Sequence, residues 1–176
     1  STKQEPTYMQ ITVAGTTYDC KAQDFKIESL KLDPGNGRLQ HLSEQLSQEE
    51  AFETLSDEPD TKKLKDSISH FHGLMEQPYV KLLPGEDNFE ALLREGNRRK
   101  VALQLILTGI ETGKLKLDRK DYETVKVWVY PSHMPDEHQL LHVANMHYSG
   151  KKGWAKLNQA AFITSLRDND KITDDD

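Results

Sequence analysis

Along Tyr8-Met9-Gln10-Ile11-Thr12-Val13 the side chains alternate, Ala14-Gly15 offers a turn, and Thr16 to Cys20 resumes the alternation, which predicts a hairpin. Phe25 to Leu32 alternates again and runs into Asp33-Pro34-Gly35-Asn36-Gly37, so a strand is expected to end in a loop holding Arg38. From Ser47 to Leu55 and from Asp60 to Phe71 the apolar positions take helical spacing. Leu64, Ile68 and Phe71 share one face, and Asp60-Thr61 stand where a cap is wanted. Gly73 closes the second helix. Pro78 to Leu82 then reads as a strand, joined through Pro84 to Asn88 to a partner over Phe89 to Arg94, a second hairpin.

Gly96 ends that strand, and Val101 to Leu107 is too rich in Leu and Ala to prefer another, so a buried helix is expected. Tyr122 to Tyr130 places Val125, Val127 and Val129 on one side and stops at Pro131, the pattern of a core strand. Pro135 opens a helix expected to run to Asn145, and Trp154 to Leu166 reads as the last one. Strands, then helices, then a hairpin feeding a helix, a strand and two closing helices make a mixed α/β (α+β) fold.

A chain of 176 residues suits one domain. The division expected is 1–17 as an N-terminal extension or hairpin strand, 18–167 as the domain, and 168–176 as an acidic tail or the start of a linker. A mean hydropathy of -0.76 implies a modest core and helices solvated on one face. The net charge of -6 argues against a surface-wide nucleic-acid footprint, so contact with DNA would be local or made through another domain or subunit. One cysteine, Cys20, permits no internal disulfide, and no Cys/His spacing suits zinc; a reducing cytoplasm and no transition metal are expected. No apolar run reaches about 18 residues, and Ser1 to Pro6 lacks a signal-peptide stretch, so a soluble protein without a membrane partner is expected.

The chemistry concentrates in Arg94-Glu95-Gly96-Asn97-Arg98-Arg99-Lys100. A strand that turns at a glycine directly into a helix presents unbonded N–H groups and the positive end of the helix dipole, which together attract anions. Gly96 admits close approach, Asn97 is placed to cap, and Arg98, Arg99 and Lys100 bring adjacent positive charge. The alternative is a plain surface turn, although cations at a helix N-terminus are disfavoured by roughly 0.3–1 kcal/mol each. His70 with His72, and His138 with His142, have spacings that invite a metal. With Glu137, Gln139 and Leu140 around them, the second pair reads better as an ordinary solvated face.

Taken together these segments resemble the N-terminal domain of the ParB and sulfiredoxin-like superfamily over Tyr18 to Leu166. Asp33 to Arg38 is similar to its first box, and Glu95 to Leu103 to its second, in the Gly-Asn-Arg-Arg form of stand-alone ParB-like domains of bacterial mobile-element and defence proteins. His147, Gly150 and Trp154 fit that subgroup's spacing.

The resemblance implies a nucleoside triphosphate switch, with CTP one candidate, in a DNA-associated protein that can form a homodimer. Its phosphate and nucleotide contacts would come from Arg38, Glu95, Gly96, Asn97, Arg98, Arg99, Lys100, Asn145 and His147, with Mg²⁺ held through Asn145. Where partition proteins carry an acid before that asparagine, this chain has Ala144, which points to binding with weak or absent hydrolysis. The sulfiredoxin cysteine is replaced by Asn97 and Arg98, and Glu28 or Glu95 would be the base if a kinase-like activity existed. A metal-dependent nuclease and a non-enzymatic interaction module are the alternatives.

Overall fold

The computed structural model describes residues 5–33, 46–71, 76–85 and 90–148. Strands β1 (Tyr8–Val13) and β2 (Thr16–Lys26) form the expected antiparallel hairpin, with Val13 opposite Thr16. Its two-residue turn has positive φ at both Ala14 (48°) and Gly15 (80°), the geometry that matches strand twist. Residues 17 and 18, on either side of the expected division, both lie in β2.

Four further strands, β3 (Leu30–Leu32), β4 (Tyr79–Leu82), β5 (Ala91–Glu95) and β6 (Thr124–Val129), complete a sheet in the order β1-β2-β6-β4-β5-β3. The β3/β5 and β4/β6 pairs are parallel and the rest antiparallel, so the fold is mixed α/β. Helices α1 (Gln48–Ser56), α2 (Pro59–Phe71), α3 (Asn97–Glu111) and α4 (Asp136–Tyr148) accompany it.

One face of the sheet buries Phe25, Leu30, Val80, Leu93 and Val127 against Leu55 of α1, Ile68 of α2 and Ile106 of α3. The other face buries Ile11, Val13, Tyr18, Cys20, Tyr79 and Tyr130, with α4 packing through Leu141 and Met146.

Several boundaries differ from the sequence reading. The run Phe25 to Leu32 is not one strand: β2 ends at Lys26, a 3-10 turn covers Ile27–Ser29, and β3 pairs with β5 at the opposite edge. Ile27, Leu30 and Leu32 are all buried, a step of three then two that strict alternation does not accommodate. Asp60 and Thr61 do not cap α2. Pro59 opens that helix, its missing N–H costing nothing at a first position, and the Glu58 carbonyl accepts from Thr61. Helix α3 begins at Asn97 and α4 runs to Tyr148, both longer than expected.

At the β3 edge, the Gln48 side chain accepts from Leu32 N–H and donates to Leu32 C=O, both at 2.8 Å. The expected helix Trp154 to Leu166 and the loop with Arg38 lie outside the described residues. Among the described residues no helix is long and apolar enough to cross a membrane.

Candidate functional site

The turn between β5 and α3 rests on Gly96, whose φ of 98° suits glycine, and an added Cβ would stand 2.7 Å from Pro78 Cβ. The first intrahelical bond runs from Lys100 N–H to Gly96 C=O at 3.2 Å, so the amides of Asn97, Arg98 and Arg99 precede the helical ladder. Because β3 and β5 are parallel, their carboxyl ends lie together, the place where open α/β sheets take ligands. There Asp33 N–H donates to Asn97 Oδ1 at 2.9 Å, joining the start of the first box to the second.

Asn97 does not cap the helix. Gly96 occupies the cap position, and Asn97 is a buried strut, 3% exposed, that also donates to the Leu93 carbonyl at 3.1 Å. Lys100 also serves elsewhere: its Nζ donates to Ile27 C=O at 3.0 Å, and burial followed by the nearby Lys31 pushes its pKa down to about 8. The charges that belong to the turn are therefore those of Arg98 and Arg99.

Each of these arginines meets carboxylates. Arg98 Nη1 lies 3.3 Å from Asp60 Oδ2, and Arg98 Nε lies 3.2 Å from Glu58 Oε2 without hydrogen-bond alignment. Arg99 donates to Glu95 at 3.0 Å and lies 3.5 Å from Glu76. Such acids relieve the repulsion between cations and the helix dipole. Pairs with one exposed partner are worth roughly 0–1 kcal/mol each, so they can exchange.

Arg94, one turn of strand earlier, is held differently. It donates to Asp33 at 2.9 Å and to Gln139 at 3.0 Å and pairs with Asp136 at 3.2 Å, while Lys81 reaches the same Asp136 at 2.7 Å. The sequence reading missed these partners, which stand far from Arg94 in the chain.

The α4 residues that meet Arg94 are Asp136 and Gln139, and Asn145 is exposed six residues, about 9 Å of helix, beyond the latter. By itself an exposed amide supplies one of the several oxygen ligands that a Mg²⁺ ion takes. His147 is half-buried on the last described turn of α4.

The solvated-face reading of His138 and His142 is corrected. His138 Nδ1 is hydrogen-bonded to Tyr18 Oη at 2.6 Å and His142 Nδ1 to Tyr130 Oη at 2.7 Å, so both rings face the sheet. Burial pushes His142 down to about 4 and Tyr79 up to about 12. Burial likewise raises the neighbouring Cys20 thiol to about 12, so it is held as an unreactive thiol. Among the described residues no group of three or more His, Cys, Asp or Glu is arranged to hold a metal ion.

No protein-family model matches the chain, and no curated protein matches it. Among solved structures it is similar to the C-terminally truncated chromosome-partitioning protein ParB from Caulobacter crescentus complexed with CTP-gamma-S. The identity is 18%, the TM-score 0.45, and the overlap covers 86% of this chain and 66% of that one. The likeness is partial, and the sheet and turn described above rest on this chain's own geometry.

Proposed function

We propose that this chain is a ParB-like nucleotide-binding domain in which the Gly96 turn receives phosphate groups. The observation that carries the reading is the β5–Gly96–α3 turn, set at the carboxyl ends of a parallel strand pair with Arg98 and Arg99 beside it. Backbone amides and two guanidinium groups together suit a chain of phosphates better than a single carboxylate. The boxes resembling the ParB and sulfiredoxin-like superfamily support a nucleoside triphosphate, CTP among the candidates, as the ligand. Mg²⁺ enters with the nucleotide as its counter-ion, and no residue of this chain is assigned to it. Association with DNA through another domain or subunit, homodimer formation and a cytoplasmic setting belong to the same reading.

Calorimetric titration with the four ribonucleoside triphosphates and Mg²⁺ tests it. Binding of at least one, weakened about tenfold or more by Arg98→Ala and by Arg99→Ala, is the expected result, since a charge-assisted contact is worth roughly 1.5–3 kcal/mol. No heat with any of the four, or an affinity indifferent to both substitutions, overturns it.

One observation favours a second reading, a non-enzymatic interaction module that keeps the fold: Arg98 and Arg99 are already engaged by Glu58, Asp60, Glu76 and Glu95. That reading predicts no nucleotide binding and no change in stability on adding nucleotide.

A further inference from the structure

We infer that Glu58, Asp60 and Glu76 form a carboxylate lock on the Gly96 turn, holding Arg98 and Arg99 until a polyphosphate displaces them. The inference rests on the reading of that turn as a phosphate site and adds how the site is regulated.

The ion pairs around the turn differ in length, with Arg94–Asp136, at 3.2 Å, between the extremes. Arg94–Asp33 and Lys81–Asp136 are short, at 2.9 and 2.7 Å, which is the range of strong charge-assisted bonds. The contacts of Arg98 with Glu58 and Asp60, at 3.2 and 3.3 Å, and of Arg99 with Glu76, at 3.5 Å, are long. Arg98 Nε is buried yet makes no aligned hydrogen bond, so this guanidinium keeps a donor that its carboxylates do not satisfy.

Exposure is uneven in the same sense. The arginine side chains are 20% and 16% exposed, whereas Asp60 and Glu76 are 57% and 64% exposed. Asp60 and Glu76 can therefore turn out to water while the guanidinium groups stay, and Glu58, at 31%, is the more covered of the three. Glu95 is the exception, 13% exposed and bonded to Arg99 through both its oxygens, and it remains as the fixed arm that orients Arg99.

Glu58 and Asp60 flank Pro59 at the joint between α1 and α2, so the lock ties this joint to the first turn of α3. A ligand able to displace these carboxylates must carry several negative charges, which selects polyphosphates over a single phosphate. Its arrival removes the charged tie between the α1–α2 joint and the first turn of α3 while their apolar packing remains, giving the domain a local response that depends on occupancy.

The test titrates the full chain with inorganic tripolyphosphate in Mg²⁺ buffer, comparing the unaltered protein with E58Q/D60N and with D57N. Asp57 adjoins Glu58, is exposed and takes part in none of the ion pairs found among the described residues, so D57N controls for the general loss of negative charge. The lock predicts about three- to tenfold tighter binding by E58Q/D60N, a gain that D57N does not share. It also predicts faster hydrogen exchange of the amides of residues 57–62 in the unaltered protein on binding. E58Q alone leaves Asp60 in the first turn of α2 and is expected to show a smaller gain in the same direction, should the double variant fold poorly.

Equal gains for D57N and E58Q/D60N overturn the lock, and so does unchanged affinity in E58Q/D60N. In both cases, if Arg98→Ala still weakens binding, the phosphate site stands without it. No binding by any of these proteins overturns the lock and the site together.

Discussion

Two arginine clusters stand within a few residues of each other, and they use the same chemistry to opposite ends. Arg94 and Asp33 are 10% and 7% exposed, and their contact is cross-braced by Gln139, which is itself buried. Arg98 and Arg99 also meet Asp60 and Glu76, which lie largely in water at longer range, beside the covered Glu95. Burial makes the first cluster part of the framework, because water cannot readily replace a guanidinium removed from beside Asp33. Exposure leaves the second cluster open to exchange.

The sharpest way to break this comparison is Arg94→Ala. It leaves Asp33 buried without its guanidinium and is expected to lower unfolding stability by roughly 3–5 kcal/mol, measured by urea denaturation. Gly96→Ala comes next, at about 1–3 kcal/mol, since it adds a left-handed backbone penalty and a Cβ 2.7 Å from Pro78. A loss near zero would show that the turn relaxes freely.

Acid provides the third. The pKa of His142 is depressed from 6.5 to about 4 by burial against Tyr79 and Tyr130, so the neutral ring favours the folded state. That contribution is complete above pH 6.5 and is lost as pH falls from there through about 4. Discounted for the ring's partial exposure, the loss is roughly 1–2 kcal/mol, and His142→Gln is expected to flatten that part of the stability profile. Smallest is Arg98→Ala, at about 1 kcal/mol or less in the same urea experiment. A cost matching that of Arg94→Ala would erase the distinction between the clusters.

Much of the framework is legible in the sequence because its signals are local. Alternation located β1, β2 and β6, and the glycine before an Ala- and Leu-rich run located the turn and α3. The break at Ile27 was not legible, since the chain keeps apolar side chains as it leaves β2, beside β6, for β3 at the far edge of the sheet. Nor was the inward face of α4. Gln139 looks like a surface residue by type but is buried by bonds to Arg94 and to the Met134 carbonyl, which hydropathy does not record. The arginines of the turn could be read directly, whereas Asp60 is paired with Arg98 across 38 positions and carries no sequence mark of it. Site residues are visible when they cluster along the chain. Their counter-charges are visible only after folding.

The Gln48 amide on Leu32 reaches past these sites to the behaviour of the protein in a crowded solution. Its oxygen and nitrogen take the donor and acceptor that a neighbouring strand would otherwise use. Among the described residues this amide occupies the rim at Leu32, and a strand pairing there would have to displace it. A residue that hydropathy would assign to solvent thus occupies the backbone of a short edge strand at the point where a neighbour would pair.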